Sequence, residues 1–280
     1  MHGHPFKQVD VFTSRPFFGN PVAVVFNADD IPENDMQRIA RWTNLSETTF
    51  LCSSKQADYR LRIFTPSREL SFAGHPTIGS AHAAREAGLI PSDRVAFTQE
   101  CLAGLIPLHV DSSEAILAKV PRPKILPDAI DVTQLTSVLG APSLSEPYLI
   151  DVGPVWLVTR VERFDMLYSM MIDLQKLAAF SREVDATGVT VYAIDDNCEV
   201  HVRSFAPLEG VPEDPVCGSG NAAVAAHIKL TGLHEITGFN YTARQGAAMK
   251  RDGHVQVGME ADDVFIGGYC VTTVDGTIYI

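Results

Sequence analysis

The stretch "EDPVCGSGNAAVAAH", residues 213–227, sets Asp214, Cys217 and Ser219 around a glycine-rich turn that runs into alanines. A thiol at the start of a helix has a lowered pKa and can move a proton at carbon. A free cysteine is also commonly a small buried apolar group, and Asp214 and Ser219 are residue types that cap helix N–H groups. Two further groups with acid–base chemistry are Glu47 in "NLSETTFL" and His75 in "FAGHPT". Each has a plain alternative: an edge residue in water for Glu47, a hydrogen bond within a turn for His75. Deprotonating a carbon acid needs a base over the carbon and an electrophile for the developing charge. These five side chains are the candidates for that work.

The elements that must hold them occur twice. "GNPVAVV" (19–25) is echoed by "VGPVWLV" (152–158), "RIFTP" (62–66) by "RSFAP" (203–207), and "AGHPTIGSAHAA" (73–84) by "CGSGNAAVAAHI" (217–228). The three pairs keep one order, at offsets of 133, 141 and 144 residues, which indicates two similar halves. Both glycine-rich stretches lead into alanine-rich segments that end at Gly88 and Gly232. Such segments read as helices of small residues able to sit close to a sheet, with unpaired N–H groups and partial positive charge at their starts. Two such starts facing one cleft would hold a carboxylate or an enolate oxygen.

Positions that break the symmetry carry the functional information. At the offset of 141, Glu47 stands opposite Gly188; in the glycine-rich pair, Ala73 faces Cys217 and His75 faces Ser219. A racemase with one thiol from each half is excluded, because Ala73 cannot move a proton.

Composition limits the class. The chain has 280 residues, with 22 Lys and Arg against 34 Asp and Glu, a net charge of −12 that speaks against nucleic acid or an anionic membrane as main partner. No apolar run approaches the roughly 20 residues of a membrane span, and the N-terminus has no signal-peptide pattern. Five scattered cysteines without CxxC spacing suit a reducing cytoplasm, and nine histidines without an HExxH motif give no expectation of metal.

Alternation predicts strands at 7–13, 21–26, 47–52, 59–64, 94–98 and 105–110, and helical spacing predicts a helix at 33–43. The second half predicts strands near 155–160, 188–194, 198–205, 239–244, 254–259 and 264–274, with a helix near 171–182. Three prolines in 119–129 mark a linker. Strand-rich halves with two helices each give an α+β fold.

The blocks "QVDVFTSRPFFGNPVAVV", "NLSETTFL", "FAGHPTIGSAHA", "DPVCGSGNAA" and "ARQGAAMKRDGHVQV" resemble the PhzF family, the phenazine-biosynthesis isomerases and their relatives within the diaminopimelate epimerase-like fold. The resemblance runs from residue 8 to about 257. It implies two pseudo-symmetric domains, each a β-sheet wrapped around a central helix: 1–120, and 128–265, with the active site in the cleft between them and a C-terminal strand at about 266–280 returning to the first. It implies a homodimer without metal or organic cofactor, acting on a small carboxylate. Glu47 would be the general acid/base, with His75, Asp214 and Ser219 completing the site and Gly74, Gly218 and Gly220 supplying backbone approach and N–H donors. The expected reaction is a proton shift on a cyclic or conjugated amino or hydroxy acid, as in trans-2,3-dihydro-3-hydroxyanthranilate isomerase. A one-thiol epimerase using Cys217 and a non-catalytic carboxylate-binding protein are the competing readings.

Overall fold

The computed structural model describes residues 2–127, 129–142 and 145–280; the expected half-boundaries at 1 and 128 lie outside the described residues. In chain order the elements are β1 (Gly3–Val11), β2 (Asn20–Val25), α1 (Glu33–Thr43), β3 (Glu47–Cys52), β4 (Tyr59–Phe64), β5 (Glu69–Leu70), α2 (Gly74–Glu86), β6 (Ala96–Cys101), β7 (Gly104–Val110) and β8 (Ile116–Lys119). There follow β9 (Lys124–Leu126), α3 (Val132–Leu139), β10 (Tyr148–Asp151), β11 (Val155–Arg160), α4 (Phe164–Ser169), α5 (Leu174–Glu183), β12 (Gly188–Ile194), β13 (Val200–Ala206) and β14 (Val211–Asp214). The chain closes with α6 (Gly218–Leu230), α7 (His234–Thr237), β15 (Asn240–Gln245), β16 (Gly253–Glu260), β17 (Asp263–Gly268) and β18 (Cys270–Tyr279). The fold is α+β, in two compact units: residues 1–119 with 267–280, and residues 120–266. In the first unit β18 pairs antiparallel with β1.

Each unit repeats one topology. In the first, β2 runs antiparallel to β1 and parallel to β3, β3 antiparallel to β4, β4 parallel to β6, and β6 antiparallel to β7. In the second, β10–β11, β11–β12, β12–β13, β13–β15 and β15–β16 alternate in the same way. Parallel neighbours need crossovers, and helices supply them: α1 and α2 in the first unit, α4 with α5 and then α6 in the second.

The period of two in the strands sorts the layers. Phe50 and Cys52 of β3 pack with Met36 and Ala40 of α1, whereas Thr49 turns to the other face and its hydroxyl meets that of Ser80 on α2 at 2.8 Å. In β12, Val189, Val191 and Ala193 join Leu135 of α3 with Leu177 and Phe180 of α5. Tyr192 faces α6, its hydroxyl 2.9 Å from His227 Nδ1. So α2 and α6 lie on one face of their strands, and α1, α3, α4 and α5 on the other. Nearly all of α2 from Gly74 to Ala84 is buried, and α6 is buried from Gly220 to Ile228. Neither has a polar face, and only small residues permit such close approach. A Cβ on Gly79 would lie 2.5 Å from Val22.

Several expectations need correction. A single strand at 264–274 is two, β17 and β18, broken at Tyr269. The helix near 171–182 begins at Leu174, where Asp173 caps the N–H groups of Gln175 and Lys176, and a separate α4 precedes it. The second unit therefore holds more than two helices, and the proline-rich 119–129 stretch contains β9.

Gly188 tests how tightly the second unit closes. A Cβ there would lie 2.0 Å from the Phe205 carbonyl oxygen, whereas at Gly276 nothing lies within 4 Å. Gly188→Ala is expected to lower stability by about 2–3 kcal/mol in urea unfolding, and Gly276→Ala by less than about 0.5 kcal/mol.

Candidate active site

In the first unit the site grows from the start of β3 and the start of α2. Glu47 opens β3 in register with Val22 of β2, and His75 is the second residue of α2. Thr49, two residues on, faces α2, so Glu47 shares that face. Its Oε2 lies 3.4 Å from His75 Nε2, with both side chains largely buried. Asn20, at the start of β2, lies 3.4 Å from His75 Nδ1 through its amide nitrogen, and its Oδ1 accepts the Ser46 hydroxyl at 3.3 Å. Burial drives the His75 pKa down to about 3, against a hydrogen bond with the Pro21 carbonyl that raises it. The imidazole is neutral at physiological pH.

In the second unit the site grows from β14 and the start of α6. Cys217 is the N-cap, and its Sγ accepts the Gly220 N–H at 3.2 Å. Burial first, and then the charge of Asp214, pushes the thiol pKa well above its usual value. Cys217 is thus a neutral capping group, poorly suited to abstract a proton. Asp214 accepts the Val216 N–H at 3.1 Å. Although part of its surface is accessible, enough protein surrounds it that desolvation raises its pKa to about 6, opposed by hydrogen bonds from Cys217 and Val216. Ser219, the second residue of α6, is partly exposed; its Oγ lies 3.6 Å from Cys217 Sγ and 3.0 Å from Trp156 Nε1.

The two helix starts reach the same donor set by different means. Besides the N–H of the N-cap residue, the first three N–H groups of a helix lack intrahelical acceptors. In α2 these belong to Gly74, His75 and residue 76, but residue 76 is proline and has no N–H. In α6 they belong to Gly218, Ser219 and Gly220, and Cys217 takes the third. Each helix therefore offers its first two donors, Gly74 with His75 and Gly218 with Ser219. Gly220, expected as a ligand donor, is instead tied to Cys217. It must lack a side chain because a Cβ would lie 2.5 Å from Ser204 Oγ.

The structure thus gathers Glu47 with His75 and Gly74 in the first unit, and Asp214 with Gly218 and Ser219 in the second. Sequence reading missed Gln245 and Trp156. Gln245 is fully buried; its Oε1 accepts from the Cys217 N–H at 3.1 Å and from Asn221 Nδ2 at 2.8 Å, and its Nε2 donates to the Asp214 carbonyl at 3.0 Å. A polar amide at a buried strand position just before Gly246, whose φ is +99°, was the available signal. Among the described residues one further acid–histidine group, Asp195, Glu199 and His201, gathers at the β12–β13 turn. Its members are engaged in that turn and with their neighbours: Asp195 accepts the Asn197 and Glu199 N–H groups, and Arg244 pairs with Glu199.

Two outcomes follow from these electrostatics. His75 is expected to hold its neutral imidazole NMR shifts from pH 8 to pH 5. Because its folded pKa is depressed, the unfolded chain binds its proton first, so stability falls as pH drops below about 6.5. His75→Gln should make that fall shallower in denaturant titrations. At the α6 cap, Cys217→Ser keeps an acceptor for Gly220 and Cys217→Ala does not; the alanine variant should lose about 1 kcal/mol more in chemical denaturation.

Comparison with known proteins agrees with this architecture. The family model described as phenazine biosynthesis-like protein, PhzC-PhzF, matches residues 9–276. The chain is 41% identical over 297 residues to antisense-enhancing sequence 1 of Schizosaccharomyces pombe, covering 100% of both. It is 32% identical over 232 residues to trans-2,3-dihydro-3-hydroxyanthranilate isomerase of Pseudomonas aeruginosa, covering 80% of each. A crystal structure of a Bacillus anthracis PhzF-family phenazine biosynthesis protein superposes with a TM-score of 0.87 at 25% identity over 100% of both chains. Family, fold and isomerase relatives concur: this chain is a member of the PhzF family, an enzyme of the isomerase and epimerase group.

Proposed function

We propose that the protein shifts a proton between two carbons of a small cyclic or conjugated amino or hydroxy carboxylic acid, with Glu47 as its single acid/base. The observation that carries this reading is the asymmetry of the two units. Glu47 sits beside a neutral, buried His75, while the matching β12 position is Gly188, where a Cβ would strike the Phe205 carbonyl. One half has a base and the other has no room for its counterpart.

In this scheme the Glu47 carboxylate takes a proton from a carbon activated by the conjugated system. The electron pair of the broken C–H bond moves into that system, and the negative charge collects toward its oxygen substituents. N–H donors at a helix start, such as those of Gly74 and His75 beside Glu47, stabilise it, and Gly218 with Ser219 form the equivalent donor pair in the second unit. Glu47, now a carboxylic acid, returns the proton to another carbon, so substrate and product have the same composition. His75, uncharged, positions Glu47 without holding it in an ion pair. Asp214, with a pKa of about 6, exchanges a proton near neutrality and serves a polar substituent. The Pseudomonas relative's name makes trans-2,3-dihydro-3-hydroxyanthranilate the first substrate to test. The family relation also supports a cytoplasmic homodimer that needs no metal or organic cofactor. Among the described residues no helix is long and apolar enough to cross a membrane.

The test is proton NMR in D₂O with that acid and related cyclic amino and hydroxy acids. Wild type should move the double bond and incorporate deuterium. Glu47→Gln should be slower by about 10³-fold or more, with an unchanged unfolding transition, and Cys217→Ser should keep most of the activity. Stereochemical inversion that needs Cys217 and survives Glu47→Gln would replace this scheme with a one-thiol epimerase.

A further inference from the structure

We propose that Trp156 takes, in the second unit, the place that Glu47 takes in the first as the sheet side chain that meets the helix's second residue: its indole N–H fixes Ser219 as a directed hydrogen-bond donor to the carboxylate of the bound substrate. The proposal rests on the reading of Ser219 as a substrate contact and adds a chain-specific positioning residue to it.

Matching registers bring the two positions into correspondence. In the first unit Glu47 of β3 pairs with Val22 of β2, and Glu47 contacts His75, the second residue of α2. In the second unit Gly188 of β12 pairs with Trp156 of β11, and the second residue of α6 is Ser219. The flanking pairs agree: Thr48 with Phe64 in one unit corresponds to Val189 with Phe205 in the other. Thus the helix's second residue is met by a sheet side chain in both units. In the first it comes from β3 and is a carboxylate. In the second that strand has glycine, and the contact comes from the neighbouring strand as an indole. Its Nε1 lies 3.0 Å from Ser219 Oγ.

The chemistry of the donors then fixes a direction. An indole N–H only donates, so Ser219 Oγ accepts from it. Trp156 is 3% exposed, so water does not compete for this N–H. The Ser219 hydroxyl proton must point elsewhere. Cys217 Sγ at 3.6 Å is a long sulfur contact that also takes the Gly220 N–H at 3.2 Å, so a ligand oxygen is the stronger partner for that proton. Ser219 remains partly exposed, so its proton is open to a ligand oxygen. An accepted hydrogen bond also polarises the hydroxyl and strengthens it as a donor. A phenylalanine at 156 would fill the same space and leave the hydroxyl free to rotate.

The chain has two tryptophans, and Trp42 is 77% exposed, which makes it an internal control. In ¹H–¹⁵N spectra the Trp156 indole resonance should exchange slowly with solvent and move in Ser219→Ala, while that of Trp42 stays in place. Affinity for trans-2,3-dihydro-3-hydroxyanthranilate is then measured in a non-reacting Glu47→Gln parent, with Trp156→Phe, Ser219→Ala and both together. Binding should move the Trp156 indole peak in the parent. Each single change should weaken affinity by about tenfold, and the double change should weaken it no further. Full affinity in Trp156→Phe, or losses that multiply in the double variant, would overturn the assignment. A parent that fails to bind the acid overturns the substrate reading and this assignment together, and so is distinct from failure of the tryptophan's role alone.

Discussion

In each unit a helix is buried along nearly its whole length, so little water reaches its first turn. A buried N–H without a partner costs on the order of 1–3 kcal/mol, so every donor at that end must be removed, capped or reserved for a ligand. Proline at position 76 removes one in α2, and the sulfur of Cys217 caps one in α6. The same burial demands small residues along both helices, so their outer faces carry little chemistry and their starts carry most of it. The strands around them inherit the constraint: wherever a strand faces the central helix it must be short-branched, glycine or hydrogen-bonded, as with Thr49 to Ser80 and Thr190 to Ser204.

Duplication of such a unit would give two equivalent helix starts, and the two have diverged. A carboxylate beside a helix start can cycle between base and acid only if its partner does not lock it in one state. Protonated His75 beside Glu47 would form a buried ion pair and hold the carboxylate charged. Deep burial of the imidazole prevents that. In the second unit, burial acts on Cys217 and Asp214 in the same sense, favouring their neutral forms. A net charge of −12 on the chain would otherwise oppose a carboxylate ligand, so neutral donors at helix starts are the economical way to hold one.

How far this was legible in the sequence varies by residue. Strands with clear boundaries, β3 at Glu47–Cys52 and β12 at Gly188–Ile194, follow from β-branching and hold their expected limits. Alanine and glycine content marks α2 and α6, and the echoes between halves match a topology that repeats strand by strand. Elements set by tertiary pairing were not legible. The short β8, β9 and β10 have little internal pattern, and α4 is a six-residue turn of helix. At the site, Glu47, His75 and Asp214 announce themselves by chemical type. Cys217 does so as well, but its place in the helix-terminal turn becomes concrete only once its burial and the Gly220 N–H are seen. Gln245 and Trp156 act through other residues, and a residue that positions another shows its purpose only when distances are known.

The echo "GNPVAVV" against "VGPVWLV" illustrates that last limit. Read letter by letter, the repeat sets Ala23 against Trp156. The sheet registers shift this by one: Val22 stands beside Glu47 as Trp156 stands beside Gly188. With the one-residue shift, a large side chain appears where its neighbour strand has none. A glycine that cannot grow a side chain and a tryptophan beside it are then two parts of one arrangement. Where the first unit has a carboxylate on β3, the second has a neutral donor on β11, and the two helix starts differ in the side chain that meets their second residue.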